Sequence, residues 1–511
     1  MKTTIDFLEQ LLEGKINADE RMFLESLDYI YPDSINKKDD SVLFLAKKMS
    51  TKFLIILGKS ILFDKFEGEL ILGNHGKVCP LNHINSQYLR EYFPFTSPVS
   101  HKGHPVTVGL GDRLGLASPG HLRLTKKYKF FPILAQQSIR ELNLTGRTYK
   151  DVLDSVSWAV FQEGYRNGFG ADGDHLKTEE EVQMALDCGF TMITLDCSDH
   201  INNSIYEMTK SQIEEQYLLI AEATRKDLEQ KYMNKMFAVN ENFKIFFNDI
   251  DFKKIVLVYL DTIEYTAHIY QKFLSPLNDR IDFEMSIDET LFATSIEAHY
   301  FVASELIDRG VKITSLAPKF YGEFQKGINY IGDKKQFEEE FALHFFISEH
   351  FGYKLSIHSG SDKFSVFPIV GRITKEYFHL KTAGTNWLEA IRVIAQKDPL
   401  LFRQIYDFGA KHLEDAKKYY HIKTDVGDII SLEKISDISL PNLLNDDNVR
   451  QILHITYGLI LQAEGEDDQY LFKDKIFSLL NTFEQEYYQG LYGHIGKHLE
   501  KLNVEKIDVK K

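Results

Sequence analysis

The chain of 511 residues carries 75 acidic against 60 basic side chains, a formal charge of −15 at pH 7, so its averaged field repels nucleic acid and anionic membranes. Hydrophobic residues make up 43% of it, enough for a large core and more chain than one compact domain commonly uses. Its cysteines, Cys79, Cys188 and Cys197, neither pair evenly nor form a C-x-x-C spacing, which argues against a disulfide framework or zinc ribbon and fits a reducing cytoplasm.

Met1 to Lys15 reads as an amphipathic helix bearing Asp6, Glu9 and Glu13, unlike a basic leader before an apolar signal core. The longest apolar run, Phe53 to Phe63, is broken by Gly58-Lys59-Ser60 and is too short to cross a bilayer. With strand-like runs at Phe53–Leu57 and Glu67–Leu72, residues 1–104 are expected to form an N-terminal α+β extension.

From residue 105 to 386 short apolar runs recur, each ending in a polar or glycine-bearing loop and followed by a helical pattern. Strands are expected at Val106–Gly109, Phe131–Ala135, Gly168–Asp172, Thr191–Asp196, Ile281–Asp288, Val311–Leu316, Tyr353–His358 and Tyr377–Thr382. Eight β-α units match an α/β fold of the (β/α)8 TIM-type barrel better than an open doubly wound sheet. The long connection 203–280 is expected to hold inserted helices, with Ser211–Tyr232 and Phe252–Phe273 at helical spacing. Lys254–Leu260 looks strand-like, but its apolar spacing continues through Ile263, Ala267 and Tyr270, so it reads as helix. Residues 387–511 read as a C-terminal helical region packed on the barrel.

Active sites of such barrels lie at the C-terminal strand ends, and here those ends are crowded with ionisable groups. Gly168-Phe-Gly-Ala-Asp-Gly-Asp174-His175-Leu-Lys177 stands just before Thr178-Glu-Glu-Glu181, a capping box that opens the next helix. Other strand ends carry Arg113, Gln136, Asp196, Asp288, Lys319, His358, Lys363 and Lys381. Residues two apart on a strand share a face. If Tyr353, Leu355 and Ile357 face the helices, Lys354, Ser356 and His358 face inward; likewise Phe283, Met285 and Ile287 oppose Glu284, Ser286 and Asp288. Two inward histidines, His175 and His358, with oxygen donors nearby suit a divalent cation such as Zn²⁺, Mn²⁺, Ni²⁺ or Fe²⁺. Adjacent residues on extended chain point apart, so Asp174 and His175 divide the work, as base and ligand, unless the backbone turns between them. Candidate oxygen ligands are Glu323, Gln325 and Glu284, while Ser359-Gly360-Ser361 with Lys363 and Lys381 could hold a carboxylate or phosphate.

Other features have plainer readings. His268, His299 and His344 lie within helical patterns and read as structural, and Asp196 and Asp199 read equally well as caps. Gly109-x-Gly111-x-x-x-Gly115 resembles a dinucleotide turn, but Pro119-Gly120 is expected to spoil the helix that such a turn needs, so no nicotinamide is expected.

At Gly168–Lys177, Gly109–Gly120, Ala135–Arg140 and Ser356–Pro368 the chain resembles the tagaturonate/fructuronate epimerase family of hexuronate catabolism, and it is similar to fructose/tagatose 4-epimerases. The resemblance implies metal-dependent interconversion of two keto-uronates differing at the carbon β to the ketone. Enolisation acidifies only the α C–H, which leaves transient oxidation by a nicotinamide or retro-aldol cleavage, rotation and re-addition; the poor dinucleotide motif favours the second. Family likeness with strand placement then assigns His175 and His358 as metal ligands and Gln325 as a third, with Glu284 or Asp196 as alternatives. Asp174 is expected as the base and Glu284 as an acid on the opposite wall. Arg113, Gln136, Lys319, Lys363 and Lys381 are expected to hold substrate. A metal-dependent aldolase is the nearest rival, and a non-catalytic sugar-acid binding protein the remotest.

Overall fold

A computed structural model describes residues 2–11, 16, 18–58, 60–72, 75–101, 103–278, 280–466 and 469–507. At its centre eight parallel strands close into a barrel: β1 (Val106–Leu110), β2 (Phe131–Ser138), β3 (Gly170–Leu176), β4 (Met192–Asp196), β5 (Asp282–Ile287), β6 (Ser315–Pro318), β7 (Lys354–Ile357) and β8 (Phe378–Thr382). The expected TIM-type barrel is the observed fold, closed where β8 pairs with β1 from Phe378↔Val106 to Thr382↔Leu110. Strand parity builds it. Phe283, Met285 and Ile287 on β5 are buried in the main core with Phe301 and Leu306 of the helix Ile296–Asp308, while Glu284 and Ser286 turn inward. Each such apolar side chain contributes roughly 1.5–3 kcal/mol relative to exposure.

Several boundaries differ from expectation for physical reasons. β2 runs on through Gln136-Gln137-Ser138, paired with Asp172-Gly173-Asp174. β3 starts later and extends through the Asp174-His175 segment instead of stopping at Asp172. Between the pairs Ile193↔Gly173 and Leu195↔Leu176 the register shifts, so β3 carries an extra residue there, a β-bulge, and His175 takes φ +52°. β6 begins at Ser315 because Val311 belongs to the preceding helix end. There Val311 N donates to Leu306 O at 2.9 Å and Gly310 N, at φ +74°, to Ile307 O at 2.8 Å, a Schellman closure with Val311 as its apolar contact.

The stretch expected as one helix at Ser211–Tyr232 is two, Lys210–Tyr217 and Glu222–Tyr232, followed by an unexpected two-stranded sheet of Met236–Ala238 with Lys244–Phe246. Lys254–Leu260 lies within the helix Asp249–Ile269, as its spacing requires. The N-terminal helix is described as Lys2–Leu11; residues 1 and 12–15 lie outside the described residues. An antiparallel sheet follows, including Thr51–Leu57 and Glu69–Ile71. Leu43, Leu45, Leu54 and Ile56 on one of its faces pack on Trp158 and Phe161 of the barrel helix Tyr149–Gln162. Helices from Gly384 onward share a separate core that Leu114 and Ala117, from the loop after β1, join. Among the described residues no helix is long and apolar enough to cross a membrane.

Candidate active site at the C-terminal end of the barrel

The strand ends surround a small cavity of about 70 Å³ whose walls include Asp174, His175, His358, Lys381, Arg113 and Gln136. The bulge in β3 does what a regular strand cannot: it turns the adjacent Asp174 and His175 to the same cavity.

Asp288, one residue beyond β5, lies between the two histidines. Its Oδ1 is 3.2 Å from His358 Nδ1 and 3.9 Å from His175 Nε2, and the two rings stand 4.8 Å apart. Metal bonds of about 2.1 Å in tetrahedral array place donors about 3.4 Å apart, so this set fits a divalent cation. Each ring is backed by a carboxylate on its other nitrogen, His175 Nδ1 by Asp174 Oδ1 at 2.8 Å and His358 Nε2 by Glu284 Oε1 at 2.7 Å. That is the arrangement by which carboxylates fix imidazole orientation at metal centres.

Lys381 reaches from β8 across the barrel interior. Its Nζ lies 2.7 Å from Asp172, 2.7 Å from Asp174 and 2.9 Å from Glu284, and donates to Thr194 Oγ1. Burial disfavours the ammonium, but these carboxylates outweigh it and hold Lys381 well above its ordinary pKa. Burial pushes Asp174 up, and Lys381 and His175 outweigh it, leaving Asp174 below the usual carboxylate range. Glu284 follows the same logic, with Lys381 and His358 overcoming burial. Asp172, wholly buried beside two other carboxylates, is the group pushed up.

The expected residues do not all converge. Gln325 stands apart from the histidines: its Oε1 accepts from Lys423 N at 2.9 Å and Gln451 Nε2 at 3.0 Å, and its Nε2 donates to Glu323, so its oxygen is spent on the C-terminal region. Asp288 occupies the place expected for it. Glu284 is not on an opposite wall; with no exposed surface, it sits behind His358 and shares Lys381 with Asp174. Lys363 is sealed in, donating to the carbonyls of Gln325, Ile328 and Ser361 at 2.9, 2.7 and 2.9 Å. Lys319 Nζ is turned to Thr290 O. Neither lysine faces the cavity. Asp196 accepts from Ser198 N at 2.9 Å, and Glu323 is largely exposed. Gln136 does line the cavity, its side chain lying where a Cβ on Gly109 would be. Asp172, Arg140, Lys326 and His454 were not singled out from the sequence, although Asp172 shares strand parity with Asp174.

The structural readings of several other groups hold in the geometry. Thr178 and Glu181 form the capping box, His299 and His344 meet at 2.9 Å in the core, and His268 pairs with Glu179 at 2.6 Å. Pro119, however, does not spoil a helix. Ser118–Thr125 is helical with Pro119 in its first turn, where a missing N–H costs nothing. The amides of that turn are taken up by Asp112, whose carboxylate accepts from Leu114, Gly115, Ala117 and Ser118 at 3.1, 2.8, 2.6 and 3.2 Å.

A closed parallel barrel with this convergence of charged side chains at its strand ends defines an enzyme of the (β/α)8 class. Residues 31–502 match the family model of the tagaturonate epimerases, UxaE. The chain is 42% identical over 479 residues to the tagaturonate/fructuronate epimerase of Thermotoga maritima, covering 93% of this chain and 96% of that protein. The glycerol-complexed crystal structure of the fructuronate-tagaturonate epimerase UxaE of Cohnella laeviribosi superposes with a TM-score of 0.93 at 47% identity, covering 95% and 98% of the two chains. Its native form gives 0.91 at 46% identity, covering 99% and 100%. This chain belongs to the tagaturonate epimerase family, and so to the isomerases.

Proposed function

We propose that this enzyme interconverts D-tagaturonate and D-fructuronate by inverting the carbon β to the ketone. The observation that carries the reading is the donor set His175, Asp288 and His358, beside a cavity that His175, His358 and Asp174 line, in a chain of this family. His175, Asp288 and His358 would hold a divalent cation (Zn, Mn, Ni or Fe), which when bound supplies Lewis-acid polarisation of the ketone. Asp174, kept ionised by Lys381 at 2.7 Å, takes the proton from the hydroxyl on the β carbon. The bond between the α and β carbons then breaks, its electron pair remaining on the ketone half as an enediolate. The aldehyde half turns and the bond re-forms on its other face. The new alkoxide takes a proton from Lys381, whose ammonium lines the cavity, and Asp174 passes the proton it accepted to Lys381. Glu284 acts through His358 and Lys381 as a positioning residue. Arg113 and Gln136 hold the substrate. The free thiols Cys79, Cys188 and Cys197 accord with work in a reducing cytoplasm.

Incubating the pure protein with tagaturonate, with chelator and with each divalent cation in turn, tests the reading. Fructuronate should form only with metal. No fructuronate under any metal would overturn it, and stoichiometric release of the aldehyde half would point to an aldolase.

A further inference from the structure

One wall of the cavity carries donors that the proton transfers above leave unused. Arg113 is 3% exposed; its Nε donates to Glu141 at 3.0 Å and its guanidinium lies 3.8 Å from the centre of the Tyr457 ring. Its Nη1, also buried, has no partner among the described residues. Lys326 reaches the same cavity from the loop after β6, its Nζ donating to Ser359 Oγ at 2.8 Å. Burial, together with the cation of Arg140, holds this lysine below its ordinary pKa, although Glu289 and Glu141, which line the same cavity, pull the other way.

His454 completes the wall from the helix Asp447–Ile455. Burial and the nearby Arg113 keep its ring neutral, and its Nε2 accepts from Arg113 Nη2 at 3.5 Å. That assignment leaves the proton on Nδ1, which is buried and has no partner among the described residues. Space for the ring is made by Gly384 and Gly327, the first of which could not carry a Cβ without overlapping it. A buried donor left unpaired costs about 1–3 kcal/mol, and a carboxylate accepts up to about four hydrogen bonds. Two unpaired donors and the Lys326 amine lining one cavity match that acceptor.

We propose that Arg113 Nη1, Lys326 Nζ and His454 Nδ1 form a carboxylate subsite that holds the acid end of the sugar and serves as the pivot for inversion. The inference rests on the keto-uronate reading and deepens it. In a six-carbon keto-uronate, with the ketone at carbon 2 and the carboxylate at carbon 6, the carboxylate lies two carbons beyond the inverted centre, so cleavage leaves it on the aldehyde half. The ketone half keeps the electron pair, no redox partner enters, and the aldehyde half is a three-carbon hydroxy acid tethered at its far end. Rotation about the bond next to the aldehyde carbon presents the other face while the tether prevents escape. The C-terminal helices thereby contribute, through His454, to choosing a sugar acid over a neutral ketose.

Calorimetric titration of wild type and Lys326→Met with D-gluconate and with D-sorbitol, two six-carbon compounds differing in one carboxylate, tests the subsite. The substitution should weaken gluconate binding tenfold or more and leave sorbitol binding unchanged; equal gluconate affinity in the two proteins, or an equal loss for both compounds, overturns it. The pivot is tested by the three-carbon aldehyde acid released per epimerisation, measured by mass spectrometry. This ratio should rise at least tenfold in Lys326→Met and return toward wild type in Lys326→Arg; an unchanged ratio overturns the pivot. Binding needs no turnover, so a wild type that binds gluconate through Lys326 yet forms no fructuronate would sink the epimerase reading and support the subsite.

Discussion

At the barrel mouth and beside the C-terminal helices the protein gathers the same ingredients, two imidazoles and a carboxylate with donor atoms within 4.8 Å of one another, to different ends. His175, Asp288 and His358 keep nitrogen and oxygen positions directed at one another, because their outer nitrogens are already taken by Asp174 and Glu284. In the second group Asp362 is consumed by Arg450 and His494, and His498 Nε2 accepts the Asp362 N–H at 2.9 Å. His494 Nδ1 meanwhile meets Glu389 at 3.0 Å. With its lone pairs and protons spent internally, that group is a clamp joining the loop after β7 to three helices. The composition of a cluster does not make a metal site; what decides it is where the remaining lone pairs point.

The difference can be broken from the mouth side first. His175→Ala or His358→Ala should abolish both metal retention and epimerisation, while His498→Asn leaves metal content unchanged; metal analysis of the purified proteins alongside turnover decides. Equal metal loss from both groups would erase the distinction. Next in size, Asp174→Asn should lower kcat by about 10²–10⁴-fold, the scale of a lost general base. Its metal affinity should fall by no more than the ~10–100-fold expected for a ligand's supporting partner. A kcat near wild type would return Asp174 to a purely supporting role.

The smallest effect separates the clamp by its own chemistry. Burial opposes a charge on His494, but Asp362 outweighs it and raises the pKa to about 9. The unfolded-state value is near 6.5. A raised pKa means that the stability it contributes is complete below about pH 6.5 and is lost as pH climbs through about 9. His494→Gln should therefore be less stable by about 1–3 kcal/mol at pH 6 and approach wild type at high pH, as read by urea unfolding. A constant difference across that range would show that the clamp does not depend on the His494 charge.

Much of the mouth was legible from alternation alone. Parity on β5 and β7 picks out Glu284, Asp288 and His358 as inward, and the strand count gives the barrel. The failures fall where alternation says nothing. Gln325 and Lys363 lie in loops, and their partners come from residues distant in sequence or from backbone carbonyls. Placing the end of β3 at Asp172 hid that this residue shares an inward face with Asp174 and meets Lys381. His454 enters from a helix that packs by its own apolar face, which carries no sign of a role at the barrel.

The extra residue in β3 has a consequence beyond placing two side chains. Because a single kinked stretch of backbone aims both Asp174 and His175, neither can be re-aimed by changing rotamer without the other feeling the shift. The carboxylate and the imidazole behave as two prongs of one rigid fork. Shortening the fork by deleting one residue would restore plain alternation and swing one prong into the apolar layer outside the barrel, so this strand tolerates exchange of letters better than any change in their number.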